Sequence, residues 1–579
     1  MKNILFLLLT SFVSAAFVYK ISSPRMLNAY TDEQSASTSR YGKGCLPDLS
    51  SIQFSDTSTS IPLLSGWGNY RMPVTATNDS ANIYFQQGIN MYYGFHMIEA
   101  IASFERSVRH DSTFAMAHWG KALAYGPNIN DVGYASSPEA LEAMSKAKAL
   151  YAGCTELEKA LINAIQVRYS SDSTHSREHL NQLYAEEMKK VYVSFPSSAD
   201  AAALYADALM VQHPWDLYDR FYKPKPWTPA IVDVLEKLVG KFPNHPGANH
   251  YYIHAIEGST TPEKAILVAD RLGNLMPGVS HLVHMPSHIY IRSGQYNKGI
   301  DANENAINGY LNYKKVYPLT EKSSFLYLAH NLHMQAACAA MDGQFSKSMK
   351  YAFDAQRSAD STWLDAGGYF SMYSQNMFMV PYLTMVRFGK WDDLIKAPAI
   401  PDSRVHAKAM MHFVKGMAYA RKHDFTRAAQ ALERMSDSAN SQQLQDHPPT
   451  FNPGIAVIRI GEKVLEATIA EEKGQLATSE KLYREAVDLE DGMMYNEPKD
   501  WLLPVRHYLG QVLNKQKKYK EAEKVYKEDL RINPNNMWAL GGLIKSLNGQ
   551  AKKTGASKVQ QQLKSAKERS DVNPVGSVF

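Results

Sequence analysis

Apolar residues recur three and four positions apart from about Asn78 almost to the end of the chain, with polar residues between them. That is the period of amphipathic helices. Strand-like alternation is nearly absent. Short turns break the helical pattern at SGQYNKG (Gly294, Tyr296), DGQFSKS (Gly343, Phe345), KHDFTRA (Phe425, Ala428) and EKGQLATSEKLY (Gly474, Tyr483). Each marks a place where one helix ends and an antiparallel partner begins.

The helix pairs have recurring landmarks. Gly88, Ala100 and Phe104 hold the small and aromatic positions near the start. Leu509-Gly510, Ala522, Tyr526 and Pro534 hold them near the end, and Trp538-Ala539-Leu540 opens the next unit. A tetratricopeptide (TPR) repeat places two helices in about 34 residues, with small residues where they touch. The expected fold is therefore all-α, a TPR-type helix-turn-helix solenoid over residues 78–555. Roughly a dozen helix pairs should stack as a right-handed superhelix. Irregular spacing between the turns implies insertions or degenerate repeats.

The segments outside the helical pattern differ in composition. Residues 23–77 include SASTSRYGKG and FSDTSTS and read as an exposed Ser/Thr-rich linker. Residues 556–579 read as a C-terminal tail. At the other end, Lys2 precedes an apolar run from Ile4 to Val18, the length of a signal-peptide core and short for a membrane span. Val13-Ser14-Ala15 offers a cleavage site, while Lys20 keeps an uncleaved anchor open. Residues 1–22 are thus expected to export the chain to a periplasmic or extracellular compartment, with no membrane contact beyond that anchor.

At 579 residues, with 45% hydrophobic and 21% charged positions, the chain has the composition of an ordinary folded protein too long for one core. Its net charge of +5 is small, and the basic run Lys515 to Lys520 alternates with helix-type apolar positions. A nucleic-acid partner would need basic residues concentrated on one surface, so none is expected. The three cysteines, Cys45, Cys154 and Cys338, exclude a disulfide framework and a thiolate-rich metal site. Any metal must rely on nitrogen and oxygen donors.

Such donors are concentrated in one stretch. HYYIHAIE carries His250, His254 and Glu257; HLVHMPSH carries His281, His284 and His288; HNLH carries His330 and His333. Seven of the 19 histidines of the chain fall at these positions. On a helix, His250, His254 and Glu257 fall within about 60° of one another at 100° per residue. Two imidazoles and a carboxylate on one face can ligate zinc, iron, copper or manganese; packing histidines bonded to neighbouring helices would show the same spacing. In the second run Pro286 should push Met285 out of helical geometry. The expectation is a turn carrying His281 and His284, then a helix from Pro286 that presents His288. If successive repeats line one concave wall, His254, His288 and His333 would face one channel. Eight donors exceed what one ion uses, so either some orient the others or two metals bind.

PWDLYD (Pro214 to Asp219), FPNHPGANHYYIHAIEGS and GVSHLVHMPSHIYIRSGQY resemble a widespread bacterial group of mostly exported TPR proteins. FERSVRHDSTFAMAHWGKALAYGPN, YNEPKDWLLPVRHYLGQVL and EKVYKEDLRINPNNMWALGGL extend the resemblance over nearly the whole chain after the linker. It implies this fold and this set of motifs, and no particular reaction. His213 stands where the group more often has arginine, which sets it outside the candidate site.

There is no Gly-rich phosphate loop, no nucleophile-elbow serine and no HExxH run. The expected function is a His/Glu transition-metal site (Cu, Fe or Zn) on the inner wall of the superhelix. Redox chemistry or metal-assisted hydrolysis of a small molecule or peptide would fit it best. Two other readings stand beside it: a scaffold that binds a protein or peptide in the concave groove, and a metal carrier or sensor. Arg292 could pair with an acid or an anionic substrate. Glu497 and Trp501 of YNEPKDW, with Arg506 and His507 just after it, read first as a repeat junction. His96, His118 and the aromatics Tyr92, Tyr93, Tyr251 and Tyr252 read as core residues.

Overall fold

A computed structural model of the chain describes residues 61–130, 136–317, 325–359, 364–445, 451–574 and 576–579. The expected signal segment 1–22 and residues 23–60 of the expected linker, with Cys45, lie outside the described residues. Those described are helical almost throughout, and their only β-type pairing is an isolated bridge between Tyr218 and Pro224. Among the described residues, no helix is long and apolar enough to cross a membrane.

The chain divides into two compact units. Of the described residues, the first comprises those up to 219, in 223–289 and in 305–328, and the second those in 220–222, 290–304 and 329–579. Each is built from helix pairs. In the first, Asp79–Tyr93 packs on Met97–His110 and Ala115–Ala124 on Pro138–Leu150. In the second, Val405–Arg421 packs on Phe425–Ser438 and Gly454–Glu472 on Leu476–Asp491.

The turn sequences form the joints expected of them. Gly294, Gly343, His423 and Gly474 all have positive φ, between 58° and 75°. The residue after each donates its backbone N–H to a carbonyl five positions back: Gln295 to Tyr290, Gln344 to Ala339, Asp424 to Tyr419 and Gln475 to Ala470. This left-handed cap satisfies carbonyls that the helix end leaves open and turns the chain back on itself.

Close approach between successive pairs depends on two glycines and a ring. A Cβ on Gly88 or Gly120 would come within 2.7 or 2.4 Å of the Phe104 ring; one on Gly510 or Gly542 would come within 2.3 or 2.1 Å of Tyr526. The spacing 88, 104, 120 is the spacing 510, 526, 542. The same repeat device therefore works near both ends of the helical region, and the fold is a TPR-type solenoid.

Two boundaries differ from the sequence reading. Residues 61–77 are not a loose linker. Ile61, Trp67 and Met72 are buried, and the Gln86 side chain both accepts from Met72 N–H (2.9 Å) and donates to its carbonyl (2.9 Å). Gln87 holds Leu64 N–H and the Pro62 carbonyl, each at 3.1 Å. An extended strap held by side-chain amides has no periodicity to read. Residues 556–579 are likewise not a free tail. Helix Lys553–Lys567 packs on Met537–Gly549, Arg569 forks onto Asp342 at 2.7 and 2.8 Å, and Phe579 lies 5.8 Å from the Trp538 ring. Leu563 and Ala566 are buried in a cluster with Phe388, Met537 and Trp538, and polar anchors such as Arg569 beyond the helix complete the docking, which apolar patterning alone underestimates.

Candidate metal centre

Helix Pro246–Ile256 starts with His245, whose Nδ1 accepts Ala248 N–H at 3.1 Å, and with Pro246 pre-set for the first turn. All eleven of its residues are buried. Gly247 lets it lie against the first repeat: a Cβ there would sit 2.4 Å from the Tyr93 ring. One turn on, His250 meets the end of helix Asp79–Tyr93. The Tyr93 carbonyl is among the last four of that helix, which have no partner within it. It accepts His250 Nδ1–H at 2.7 Å. A carbonyl can only accept, so the proton is on Nδ1, and Nε2 of the neutral ring carries a lone pair.

Nε2 of His250 faces Nε2 of His281 at 3.1 Å. Two imidazoles on one tetrahedral ion, each about 2.0–2.1 Å from it, would hold their nitrogens about 3.3 Å apart. Burial, and then the nearby His254, push the pKa of His250 far below the ordinary range. Burial, and then His250, do the same for His281. Both rings are therefore neutral, the form that binds metals.

Glu257 caps the same helix and is 2% exposed. Its Oε1 accepts His254 Nδ1–H at 3.0 Å and its Oε2 accepts His288 Nδ1–H at 2.7 Å. One buried carboxylate thus fixes two imidazoles from two sequence runs. With the His288 proton on Nδ1, its Nε2 accepts from His284 Nε2 at 2.7 Å, while Ser287 Oγ donates to His284 Nδ1 at 3.4 Å.

The six residues of the first two runs therefore come together, each between 0% and 5% exposed. Donor atoms of His250, His254 and His281 lie within 4.8 Å of one another, as do those of His254, Glu257 and His288. His254 belongs to both sets. Glu257 departs from the sequence reading in its geometry: both its oxygens are engaged by imidazole N–H groups, the position of an orienting carboxylate.

The second run folds nearly as expected, as a helical turn Ser280–His284 and a helix Pro286–Arg292. Met285, however, keeps helical angles (φ −47°, ψ −39°). Its N–H still bonds the His281 carbonyl at 3.0 Å, so the proline bends the run without unwinding it. His330 and His333 belong to the second unit, on helix Phe325–Met341, half-buried and buried respectively. Burial pushes the pKa of His333 down to about 3.

Several neighbours carry no sequence signal of their own. Phe95 has φ +57° and packs on His250 (4.4 Å), His254 and His281 (both 6.0 Å). Its backbone is the cap seen at Gly294, Gly343 and Gly474 and, without glycine, at His423, Lys517 and Ala551, since His96 N–H bonds the Met91 carbonyl at 3.0 Å. Aligning the turns would have found it. A non-glycine there costs about 1–3 kcal/mol, which places a strained backbone against the centre. Trp215 of PWDLYD meets His254 edge-on at 5.8 Å, and Tyr327 lies 5.3 Å from His281. His96, expected as core, bonds Glu99 at 3.0 Å and stacks on Tyr327. His118 is core, donating to the Ser112 carbonyl at 3.0 Å, and His213 stacks on Trp227 at 3.9 Å.

No family model matches the chain, and no curated protein matches it in sequence. Among solved structures it is similar to a human IFIT1 dimer with m7Gppp-AAAA, 9% identical over 85% of this chain and 91% of that one, with a TM-score of 0.29. The yeast Tom70 is 11% identical over 85% and 91%, with a TM-score of 0.26. The APC/C hetero-tetramer Cut9-Hcn1 is 12% identical over 84% and 76%, with a TM-score of 0.27.

Proposed function

We propose that the first unit of this helical-repeat scaffold is a metal-binding domain, with His250, His254 and His281 as the principal ligands of a transition metal. The observation that carries the proposal is the way the rings are held. His250, His254 and His288 each donate Nδ1–H to a carbonyl or carboxylate. Metal-ligating histidines characteristically do this, because it fixes the tautomer and makes the other nitrogen the stronger donor. Glu257 orients His254 and His288, and His284 with His288 offers a second pair of facing nitrogens for a second ion once His284 moves its proton from Nε2 to Nδ1, towards Ser287 Oγ. Three imidazoles with an open fourth position suit zinc, copper or iron. They leave room for Lewis-acid or redox chemistry on a small molecule or peptide. The enclosure of all six residues favours a retained metal over a readily exchanged cargo. We include export in the proposal, on the apolar run Ile4 to Val18.

Metal content by plasma mass spectrometry tests this on untagged protein beside the His254→Ala, His288→Ala variant. A stoichiometric metal that disappears in the variant is expected. No metal in either sample after reconstitution would make the histidines packing residues and leave a protein-binding scaffold as the function.

A further inference from the structure

YNEPKDW, to which the histidine centre gives no role, lines a cavity in the second unit. The opposite walls come from helix Phe325–Met341, through Ala337 and Ala340, and from helix Val380–Arg387, through Leu383 and Arg387. We propose that this cavity binds a small monocarboxylate with a short apolar body. The inference does not rest on the metal reading.

Arg387 carries the argument. It is 6% exposed, and its Nη2 donates to the Leu502 carbonyl at 2.6 Å while its guanidinium lies 5.4 Å from the Trp538 ring centre. Among the described residues no carboxylate pairs with it, and none pairs with Lys499, whose Nζ is 3.4 Å from Asn533 Oδ1. A guanidinium keeps its charge in a protein, and a buried charge is costly unless an opposite charge meets it. Here the buried cation borders open space. Counting every ionisable group of the lining gives three cations, Arg292, Arg387 and Lys499, against one acid, Glu497. The lining therefore carries more cations than acids, and the buried Asp529 and Glu490, which attract Arg387 and Lys499 from outside the lining, stand beyond ion-pair distance of both.

The remaining walls decide the rest of the ligand. Ala337, Ala340, Val380, Leu383 and Trp501 present carbon surface, which an inorganic anion would leave unmatched. The cavity measures about 60 Å³ over water-centre positions. At about 10–15 Å³ for each water-sized group, that holds about four to six such groups. A carboxylate matches the planar fork of arginine, and a short or branched body of up to three carbons fills the remainder.

Isothermal titration of the full chain with isobutyrate, isobutyramide and inorganic phosphate tests the proposal. Isobutyrate should bind with a millimolar or better Kd, and the neutral amide about tenfold more weakly, the ratio expected from one charge-assisted contact. Lys499→Met should weaken isobutyrate several-fold and leave the amide unchanged. Ala340→Leu should abolish binding of both, with an unaltered helical circular dichroism spectrum. Arg387→Met should remove the preference for the acid; if it does not fold, Lys499→Met and Ala340→Leu still decide. Equal binding of acid and amide, phosphate binding without isobutyrate binding, or full isobutyrate binding by Ala340→Leu would each overturn the proposal, as would no isobutyrate binding at tens of millimolar.

Discussion

The second unit buries carbon where the first buries imidazole. Around helices Val405–Arg421 and Gly454–Glu472, Met410, Phe413, Val414, Met417, Ile458 and Leu465 all have 0% exposure and pack into one cluster. Each such side chain contributes about 1.5–3 kcal/mol by leaving water. Helix Pro246–Ile256 is buried as completely, yet Asn249, His250 and His254 stand among its interior positions. A buried polar group is at best nearly neutral once hydrogen-bonded, and costs about 1–3 kcal/mol when it is not. The two regions are equally buried and differ in what burial is for. One interior is explained by stability alone; the other carries a stability penalty that a bound cation would offset.

The largest effect expected is in the carbon interior. Tyr526→Ala removes the ring held between Gly510 and Gly542. It should cost about 3–5 kcal/mol, the usual loss for deleting a buried aromatic. Urea unfolding followed by circular dichroism measures it, with the metal content of the folded fraction unchanged. A loss below about 1 kcal/mol would show that the glycine–ring device is not what fixes the repeat.

Glu257→Gln probes the other interior with little change of volume. The amide keeps one acceptor oxygen, so only one of His254 and His288 remains properly held. Losing an orienting carboxylate lowers metal affinity about 10- to 100-fold, or about 1.4–2.7 kcal/mol. Competition against a chromophoric chelator reads this directly. Unchanged affinity would make Glu257 a packing residue and sever the link between the two ligand sets.

Much of this architecture is legible in the sequence because TPR packing has local signatures. A glycine, an aromatic ring and a second glycine at fixed spacing need no distant information, and neither do the turns at Gly294, Gly343 and Gly474. Six of the eight candidate donors are also legible, since His250, His254 and Glu257 share one helix face and HLVHMPSH continues the pattern. What the sequence does not carry is the pairing between runs. Nothing in HYYIHAIE says that its glutamate will hold His288, or that a backbone carbonyl at Tyr93 will fix His250. Phe95 was hidden for another reason: a phenylalanine stands where the turn geometry favours glycine, so residue preference argues against the conformation it adopts. The strap 61–77 was missed because amide side chains hold it, which leaves no apolar period.

Acid should distinguish the interiors through a histidine of the second unit that is outside the proposed ligand set. His406 donates Nε2–H to Asn376 Oδ1 at 3.3 Å inside the second unit, and burial pushes its pKa down to about 4. The unfolded chain, with a histidine pKa of about 6.5, binds the proton first. Stability is therefore complete above the unfolded value and falls as pH drops through 6.5 towards 4. Between pH 7 and pH 5 the loss from this residue is about 2 kcal/mol. Urea midpoints of the parent and His406→Gln at both values measure it. The variant should lose less on acidification by about that amount, and equal losses would show that His406 protonates without unfolding.

Tyr93→Phe should have the smallest effect and separates backbone from side chain at the centre. The Tyr93 hydroxyl donates to Asp200 Oδ1 at 2.7 Å, and Tyr70 already donates to Oδ2 at 2.8 Å. Removing one of two donors to that carboxylate should cost about 1 kcal/mol of stability. The contact that positions His250 is with the carbonyl of residue 93, which the substitution leaves in place, and the ring still fills the space against Gly247. Metal affinity should therefore stay within about twofold. A tenfold fall would mean that Asp200, acting through the tyrosine ring, helps set the imidazole. The orienting network would then extend beyond the carbonyl and Glu257 into the first repeat.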